Sequence, residues 1–193
     1  MGGWSLKCEV REKTYKSEGI VLKRINFGET DKIVTIFSKH YGKVTLLAKG
    51  IRRLTSRKRG NLEIFNQVAF FAAKGKGLDI VTEVELLKSF SSWRKDLPKV
   101  ALAYQLCEMV DRLTVEGSEQ EEVYELLISY LSNLSSVTPT NQNTFLNSFG
   151  INLLKLLGFW PKEKPFPTNL RVSVFIEGII EKELKAKKFF NKL

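Results

Sequence analysis

The sequence has few of the residues that ligate transition metals or act as nucleophiles. Its 193 residues include one histidine, His40, and two cysteines, Cys8 and Cys107, which lie far apart. A structural zinc site takes four Cys or His ligands at short spacings, so no metal site is predicted. His40 has no obvious serine, cysteine or carboxylate companion with which to form a catalytic triad. We therefore expect no catalytic residue, no metal and no cofactor, in a protein that is not an enzyme.

Long apolar runs are also absent. No uninterrupted run in the sequence approaches the roughly 20 residues that a membrane helix needs. The first eight residues lack the apolar core of a signal peptide. The glycines of the segment 75–77 do not have the spacing of a phosphate-binding loop or of a dinucleotide fingerprint. We expect a cytoplasmic protein without a membrane segment, in which the polar, patternless residues 1–14 form a flexible extension.

Proline is missing from the first half of the chain, where glycine is common. All five prolines follow residue 97, and nine of the thirteen glycines precede residue 78. This distribution is typical of a tightly turned, hydrogen-bonded sheet. Five segments there have the alternation and the β-branched residues of strands, at 18–24, 32–38, 43–49, 62–73 and 79–87.

Five short strands with glycine turns and no helical period between them favour a small closed barrel, because closure removes exposed sheet edges. We predict a β-barrel domain over residues 15–92. The five-stranded OB-fold is the first choice among such barrels and the SH3-like barrels are the main alternative.

From about residue 93 the hydrophobic period becomes helical. Apolar stripes predict a helix that begins near Pro98 and ends at Gly117, a second that follows a capping box formed by Ser118 and Glu121, and a third over 141–157 with Gly158 as its C-terminal cap. Residues 161–167 are too rich in proline for a helix, and a last apolar stripe over 172–184 predicts another helix. The predicted architecture is α+β and multidomain, with an N-terminal OB-fold β-barrel followed by an all-α helical bundle over residues 93–193.

Positive charge is concentrated in the barrel half. The formal net charge is +10, and residues 1–90 have 18 Lys and Arg against 9 Asp and Glu, whereas residues 91–160 have 5 against 8. The densest part is the segment 49–59, here called the basic loop, which has six cations and no acidic residue. So much charge of one sign repels itself unless a polyanion neutralises it, which makes a nucleic acid backbone the first partner to consider.

A nucleic-acid site needs cations along the phosphates and aromatic faces on which bases stack. The aromatic candidates near the basic loop are Phe27, Phe37, Tyr41 and Phe65. The predicted DNA-binding cations lie in the basic loop, on the strand before it and on adjacent turns: Lys23, Arg24, Lys43, Lys49, Arg52, Arg53, Arg57, Lys58, Arg59, Lys74 and Lys76.

The C-terminal segment 185–193 combines lysines with Phe189, Phe190 and Leu193. Two interpretations stay open. The segment either captures an acidic, apolar-tipped peptide of another protein or closes the helical bundle while its lysines stay in water. A different class of function is also open for the whole chain, namely a protein-interaction scaffold that binds acidic peptides and contacts DNA incidentally.

Several segments together resemble one protein family. The sequence Phe-Gly-Glu-Thr-Asp-Lys-Ile-Val-Thr-Ile-Phe-Ser at 27–38, with the segments 18–23, 41–43 and 48–53, closely resembles the N-terminal domain of the bacterial recombination and repair protein RecO. Further similar segments are 78–79, 83–87 and, in the helical half, Leu-Leu-Lys-Leu-Leu-Gly-Phe at 153–159.

The resemblance implies an OB-fold followed by a helical domain, and a recombination mediator in DNA repair. Such proteins bind single- and double-stranded DNA and anneal complementary strands. They act with RecR, with the acidic C-terminal tail of the single-stranded DNA-binding protein and sometimes with RecF to load RecA, which implies a cytoplasmic, nucleoid-associated protein. DNA contacts of the family fall here above all on Lys43, Lys49, Arg52 and Arg53.

The chain departs from the family pattern after residue 159. Many relatives carry a four-cysteine zinc-binding insertion there, whereas this chain has only residues 160–167 in its place. We therefore expect the short form of the family, without that metal module and without the contacts that it makes.

Overall fold

A computed structural model describes residues 13–53, 56, 58–168, 170–181 and 184. The expected extension lies outside the described residues apart from Lys13 and Thr14, and the C-terminal segment 185–193 also lies outside them. Residues 14–88 form five strands, β1 (Thr14–Phe27), β2 (Asp31–Ser38), β3 (Gly42–Ala48), β4 (Gln67–Ala73) and β5 (Asp79–Lys88), and the short helix α1 (Lys58–Asn61) connects β3 to β4.

The five strands close into a barrel in the order β1-β2-β3-β5-β4. The β3–β5 pair is parallel, and the other neighbouring strands are antiparallel. The closed five-stranded barrel followed by helices confirms the predicted fold class and the choice of the OB-fold over the SH3-like alternative.

Strand β1 is long enough to pair along two neighbours. Its first half pairs with β4 and its second half with β2, and the register with β2 shifts between Val21 and Lys23. Val21 points into the barrel core, whereas Ile20 and Leu22 join the hydrophobic cluster of the helices. One strand therefore contributes to both cores of the molecule.

The helical half begins with α2 (Leu97–Leu113) and α3 (Glu121–Asn133). A 3₁₀ turn (Leu134–Ser136), α4 (Gln142–Leu156) and α5 (Val172–Ile180) follow. The helical core is built on α2, on α3 with the 3₁₀ turn, on α4 and on α5, and three strand residues, Ile20, Leu22 and Phe37, are buried in the same cluster. The barrel and the helices are therefore joined by continuous apolar packing.

The last turn of α4 has the expected cap. Gly158 adopts a φ of 79°, its N–H donates to the carbonyl of Lys155, and the N–H of Phe159 donates to the carbonyl of Leu154. These two bonds form the Schellman motif that glycine favours.

Three helix boundaries differ from the prediction. Helix α5 ends at Ile180, before the end of the apolar stripe at 184, and Glu181 adopts a left-handed φ of 51°. Helix α2 ends at Leu113, four residues before Gly117, and the N-cap of α3 is Gln120, whose side chain makes no capping bond. The cause is a long-range contact, because the connection between the helices crosses β3. Glu116 bridges to β3 at Gly42 and Lys43, and the N–H of Gly117 donates to the carbonyl of Lys43. The capping-box prediction was therefore wrong.

The predicted fourth strand is also shorter than its apolar pattern. Strand β4 begins at Gln67, and residues 62–66 form turns after α1. Leu62 and Phe65 are buried although they are outside the sheet, and Phe65 adopts a φ of 73°. Because these turn residues are buried, their apolar sequence pattern resembles that of a strand.

Candidate nucleic-acid interface

Hydrogen bonds attach the start of the basic loop to the turn between β1 and β2. Asp31 Oδ1 accepts the N–H of Gly50 at 2.7 Å, and the N–H of Arg52 donates to the carbonyl of Thr30 at 2.9 Å. The guanidinium of Arg52 also donates to the carbonyl of Gly28 at 3.2 Å. These bonds fix the backbone at Gly50 and Arg52, at the start of the loop, and the side chains of Lys49, Arg52 and Arg53 are exposed.

The electrostatics of Asp31 reflect this arrangement. The N–H of Gly50 and the hydroxyl of Thr30 hold the pKa of the Asp31 carboxyl below its usual value, and the charges of Lys49 and Arg53 lower it further. Asp31 is therefore ionised at neutral pH and anchors a loop whose own charges are all positive.

Lys32 is a cation of this region that the sequence analysis did not select. Burial lowers the pKa of Lys32 most, the positive charges of Arg24, Arg52 and Arg59 lower it further, and Glu63 opposes them. Lys32 is thus close enough to three other cations to interact with them. Lys32 pairs with Ala48, the residue before the basic loop. This pairing would have indicated Lys32, but it depends on the strand register, which the sequence does not reveal.

Two further predicted cations are exposed on the barrel surface. Lys23 lies on the outer face of β1, and Arg59 lies on α1. Together with Lys49, Arg52 and Arg53 they form the set that we call the exposed cations. Arg57 lies outside the described residues.

Three predicted cations are occupied by bonds within the protein. Arg24 makes a two-point ion pair with Glu63, in which Nη1 lies 2.5 Å from Oε1. Lys43 donates to the carbonyl of Asp111 at 2.5 Å, lies 3.5 Å from its carboxylate and is only 13% exposed. Lys58 donates to the carbonyl of Val81 at 2.8 Å, and burial lowers its pKa.

The remaining two cations lie elsewhere on the barrel. Lys74 and Lys76 belong to the turn between β4 and β5, and Lys74 contacts Asp79 and the ring of Tyr15. Because β3 and β5 are parallel and Asp79 pairs with Leu46, the turn before Asp79 runs back toward the start of β3, where Lys74 lines one depression with Tyr41 and Lys43. The basic loop follows the other end of β3. The structure therefore does not bring these lysines together with the exposed cations.

An apolar row crosses the outside of the barrel beside the exposed cations. Ile25, Ile33, Leu47 and Ile80 occupy successive partner positions on β1, β2, β3 and β5. Their sequence neighbours Val34, Leu46 and Val81 point into the barrel core, so the row faces outward. Ile25 remains 50% exposed, which leaves an apolar surface beside the cations.

The aromatic candidates divide into two groups. Phe27, at the end of β1, is 51% exposed, and Tyr41 is exposed near the start of β3. Phe37 and Phe65 are buried in the helical core and are unavailable to a ligand. Phe27 is therefore the aromatic ring that accompanies the exposed cations.

The described residues meet the requirements neither of a metal site nor of a membrane-spanning helix. Among the described residues, no group of three or more His, Cys, Asp or Glu side chains is arranged to hold a metal ion. The helices formed by these residues are too short or too polar to cross a membrane.

Comparison with known proteins identifies similar sequences over most of the chain. The family model for the N-terminal part of recombination protein O matches residues 12–90, and the model for its C-terminal part matches residues 94–163. The chain is 36% identical over 147 residues to the DNA repair protein RecO of Symbiobacterium thermophilum, which covers 76% of this chain and 58% of that protein. It is 33% identical over 149 residues to the DNA repair protein RecO of Pelotomaculum thermopropionicum, which covers 77% of this chain and 57% of that protein. The chain thus spans little more than half the length of these relatives.

Proposed function

Because this chain belongs to the recombination protein O family, we propose that it is a DNA-binding mediator of recombination in DNA repair. It binds single- and double-stranded DNA, anneals complementary strands and helps RecR to load RecA onto DNA covered by the single-stranded DNA-binding protein. In this proposal residues 15–92 contact DNA, the helical residues 93–193 recruit protein partners, RecF among them, and the protein works in the cytoplasm at the nucleoid.

The observation that carries the proposal is the set of exposed cations on the barrel surface. Lys49, Arg52 and Arg53 are exposed on a backbone that is fixed to the β1–β2 turn, so binding need not order the backbone that carries them. Phosphate contacts of this kind release counterions and dominate the affinity of proteins for nucleic acids. Ile25 and Phe27 beside them offer apolar contact to unpaired bases.

Annealing follows from the same charges. Two complementary strands repel each other through their phosphates, and this repulsion opposes their pairing. A protein that neutralises several phosphates on each strand lowers that barrier without breaking or making a covalent bond. We therefore propose annealing without turnover of a nucleotide or cleavage of DNA.

The salt dependence of binding tests the proposal directly. Each phosphate contact to a single strand contributes about −0.7 to the slope of log affinity against log salt concentration. The double variant Arg52→Ala, Arg53→Ala of the full chain should bind single-stranded DNA with a slope that is flatter by about 1.4. The control variant Arg171→Ala, at the exposed start of α5, should keep the wild-type slope. An unchanged slope in the double variant removes the basic loop from the interface.

A strand-annealing assay tests the activity itself. The full chain should accelerate pairing of complementary oligonucleotides, and the double variant should do so less. Supplying magnesium, manganese and a nucleotide should produce neither cleavage nor ligation. Turnover in that assay would refute the proposal that the protein is not an enzyme.

A groove between the barrel and α2 favours a second function, the binding of an acidic peptide. The cavity has a volume of about 510 Å³ and an apolar floor that includes Leu22, Ile64 and Tyr104. Lys23 and Arg112 lie on its rim beside Glu108 and Asp111. Arg112 contacts Glu108, and Lys43 contacts Asp111, so both acidic groups of the rim are partly neutralised.

This groove suits the apolar tip of an acidic peptide such as the tail of the single-stranded DNA-binding protein. Titration of the full chain with a fluorescent acidic peptide tests it, with Lys23→Glu as the variant that should weaken binding and Arg171→Glu as the control. The scaffold function predicts peptide binding together with no DNA binding at near-physiological salt. Binding of both ligands supports the mediator.

A further inference from the structure

A second concave surface of the barrel combines aromatic rings with lysines. The depression has a volume of about 380 Å³, and six residues line it: Lys13, Thr14, Tyr15, Lys16, Tyr41 and Phe71. It lies at the start of β1 and the end of β4, whereas the basic loop lies beyond the far end of β1. We call this surface the aromatic rim.

The rings of the rim are placed where a flat ligand can reach them. Tyr41 and Phe71 are each 39% exposed. Phe71 lies on the outer face of β4, since its neighbours Phe70 and Ala72 point into the barrel core. The ring centroids of Tyr15 and Tyr41 are 4.7 Å apart at an angle of 54°, so Tyr15 supports the more exposed ring.

Lysines lie next to two of the three rings, Phe71 and Tyr15. Lys16 pairs directly with Phe71 across the two strands, and its Nζ lies 5.2 Å from the centre of the Phe71 ring. The Nζ of Lys74 lies 4.7 Å from the centre of the Tyr15 ring. Such cation–aromatic contacts hold the ammonium groups next to the ring faces.

The carboxylates close to the rim include Asp79, Glu83, which pairs with Phe71 across β4 and β5, and Glu116, which lines the adjoining depression with Tyr15 and Tyr41 and accepts from the hydroxyl of Thr45. Asp79 is engaged by several donors. Asp79 accepts from the hydroxyl of Tyr15 at 3.0 Å, from Lys74 at 3.0 Å and from the N–H of Gly75 at 3.2 Å. Burial alone would raise the pKa of Asp79, but these bonds bring it below its ordinary value. Burial and the bond to Asp79 raise the pKa of Tyr15, which therefore stays neutral and fixed. The described residues that line the depression add two positive charges and no negative charge.

These features select an unpaired nucleic acid strand over a duplex or an acidic peptide. An exposed ring contributes stacking only to a base whose face is free, which excludes a paired helix. A peptide of acidic residues alone would use the lysines but would leave the rings without a matching surface, and the peptide titration below tests an apolar-tipped one. A single strand uses both, because each nucleotide supplies a flat base and a phosphate.

We propose that the aromatic rim is a second contact for single-stranded nucleic acid, in which a base stacks on Phe71 or Tyr41 while Lys13 and Lys16 hold flanking phosphates. This inference rests on the proposed function and extends it, because one bound strand then runs along β1 from the rim to the exposed cations. Strand β1 has 14 residues and is therefore at most about 45 Å long. A stacked strand rises about 3.4 Å per nucleotide, so about 13 nucleotides reach both surfaces.

Binding measurements with oligothymidylates of different length test the inference on the full chain. The affinity of the wild type should rise as the length of the strand increases from about 6 to about 20 nucleotides, because only the longer strands reach both surfaces. The double variant Tyr41→Ala, Phe71→Ala should lose this gain and bind the longer strand about 5- to 150-fold more weakly, the factor expected for loss of one stacked base. The ring-retaining variant Tyr41→Phe should bind as the wild type does. Phe159→Ala, which removes another exposed ring, should also leave the affinity unchanged.

Each outcome separates the inference from the proposed function. If the wild type binds DNA and the double variant, shown by its thermal unfolding to be folded, binds equally well at every length, the aromatic rim is not a contact and the proposed function stands. If the wild type binds no DNA, both are wrong. Equal weakening of duplex binding or of acidic-peptide binding by the double variant would also overturn the inference. Crosslinking of a strand containing 5-iodouracil, followed by mass spectrometry, should identify Tyr41 or Phe71 in the wild type.

Discussion

Asp31 holds the start of the basic loop through Gly50. The Oδ1 atom of Asp31 lies 2.7 Å from the backbone nitrogen of Gly50, and the hydroxyl of Thr30 donates to the same oxygen at 2.8 Å. Gly50 adopts a φ of 64°, which most residues avoid, so the turn that presents the loop needs both a glycine and an anionic acceptor. An acidic residue is thus part of the frame of a cationic surface.

Replacement of Asp31 by Asn should lower thermal stability at neutral pH, since an amide oxygen accepts the Gly50 N–H more weakly than a carboxylate does. The folded pKa of Asp31 lies below its ordinary value of 3.8, so its ionised form stabilises the folded protein above pH 3.8. This stabilisation is lost as the pH falls from 3.8 through the lower folded pKa. The difference in melting temperature between wild type and Asp31→Asn should therefore be constant from neutral pH down to the ordinary pKa and should shrink below it.

Glu29→Gln is the matched control, because it removes a negative charge from the same turn at an exposed position. Its melting temperature should stay close to that of the wild type. A difference between Asp31→Asn and wild type that persists unchanged at the acidic end would show that ionisation of Asp31 does not support the loop.

Lys43 and Lys49 have equivalent outward positions in the predicted strand 43–49, but their replacement should have different effects on stability and DNA binding. Lys43 is bonded to Asp111 of α2 and is nearly buried, whereas Lys49 is exposed. Lys43→Met should destabilise the protein by about 1–3 kcal/mol, as expected for loss of a charged hydrogen bond. It should leave the salt slope of DNA binding unchanged.

Lys49→Met is the complementary variant and should show the reverse, with unchanged stability in urea and a slope flatter by about 0.7. The assignment of Lys43 to structure would fail if Lys43→Met flattened the slope and kept the wild-type stability. DNA titrations at several salt concentrations, combined with urea unfolding of both variants, distinguish these results.

Local patterns predicted the strands well, because alternation of apolar and polar residues follows from the geometry of a half-buried strand. The strand order and the parallel β3–β5 pair required the structure. The same limit applies to charges. The partner of Lys43 is 68 residues away and that of Arg24 is 39 residues away, so no local pattern separates these bonded cations from free ones.

The error at the start of α3 has a similar origin. Ser118 and Glu121 have capping-box spacing, but the preceding residues Glu116 and Gly117 pair with β3. That pairing fixes the path of the chain into the helix, and Gln120 becomes the N-cap. Tertiary contact thus overrides a local propensity whose effect is about 1 kcal/mol.

Glu63 limits how many cations are available to DNA. It pairs with Arg24 and also raises the pKa values of Lys32 and Arg94 against the effect of burial. Glu63→Gln should free Arg24 for a phosphate, and the slope of log affinity for single strands against log salt should steepen by about 0.7. The affinity at low salt should rise.

Glu122→Gln on α3 removes the same charge from another exposed position and should change neither the slope nor the affinity at low salt beyond the small effect of net charge. Since Glu63 is 40% exposed, loss of its ion pair should cost at most about 1 kcal/mol of stability. Weaker DNA binding by a folded Glu63→Gln variant would show that Arg24 contacts no phosphate and that Glu63 organises the surface instead.

Gly42 lies where the connection between α2 and α3 packs against the barrel. A Cβ at this position would overlap the backbone carbonyl of Ser118, and Gly42 also adopts a φ of 59°. Gly117 has a φ of 74° but has open space around its Cβ position. Replacement of either glycine would therefore strain the backbone, but only replacement of Gly42 would also cause a steric overlap.

Gly117→Ala should cost about 1–2 kcal/mol, the strain of a left-handed residue with a side chain. Gly42→Ala should cost about 3 kcal/mol or more, because relief of the overlap requires the backbone at Ser118 to move away from β3. Urea unfolding of both variants measures the difference. That displacement would also weaken the bond from the Gly117 N–H to the Lys43 carbonyl, so hydrogen exchange at Gly117 should accelerate in Gly42→Ala. Equal stabilities of the two variants would show that the connection is free to yield and that the barrel does not depend on this contact to hold the helices.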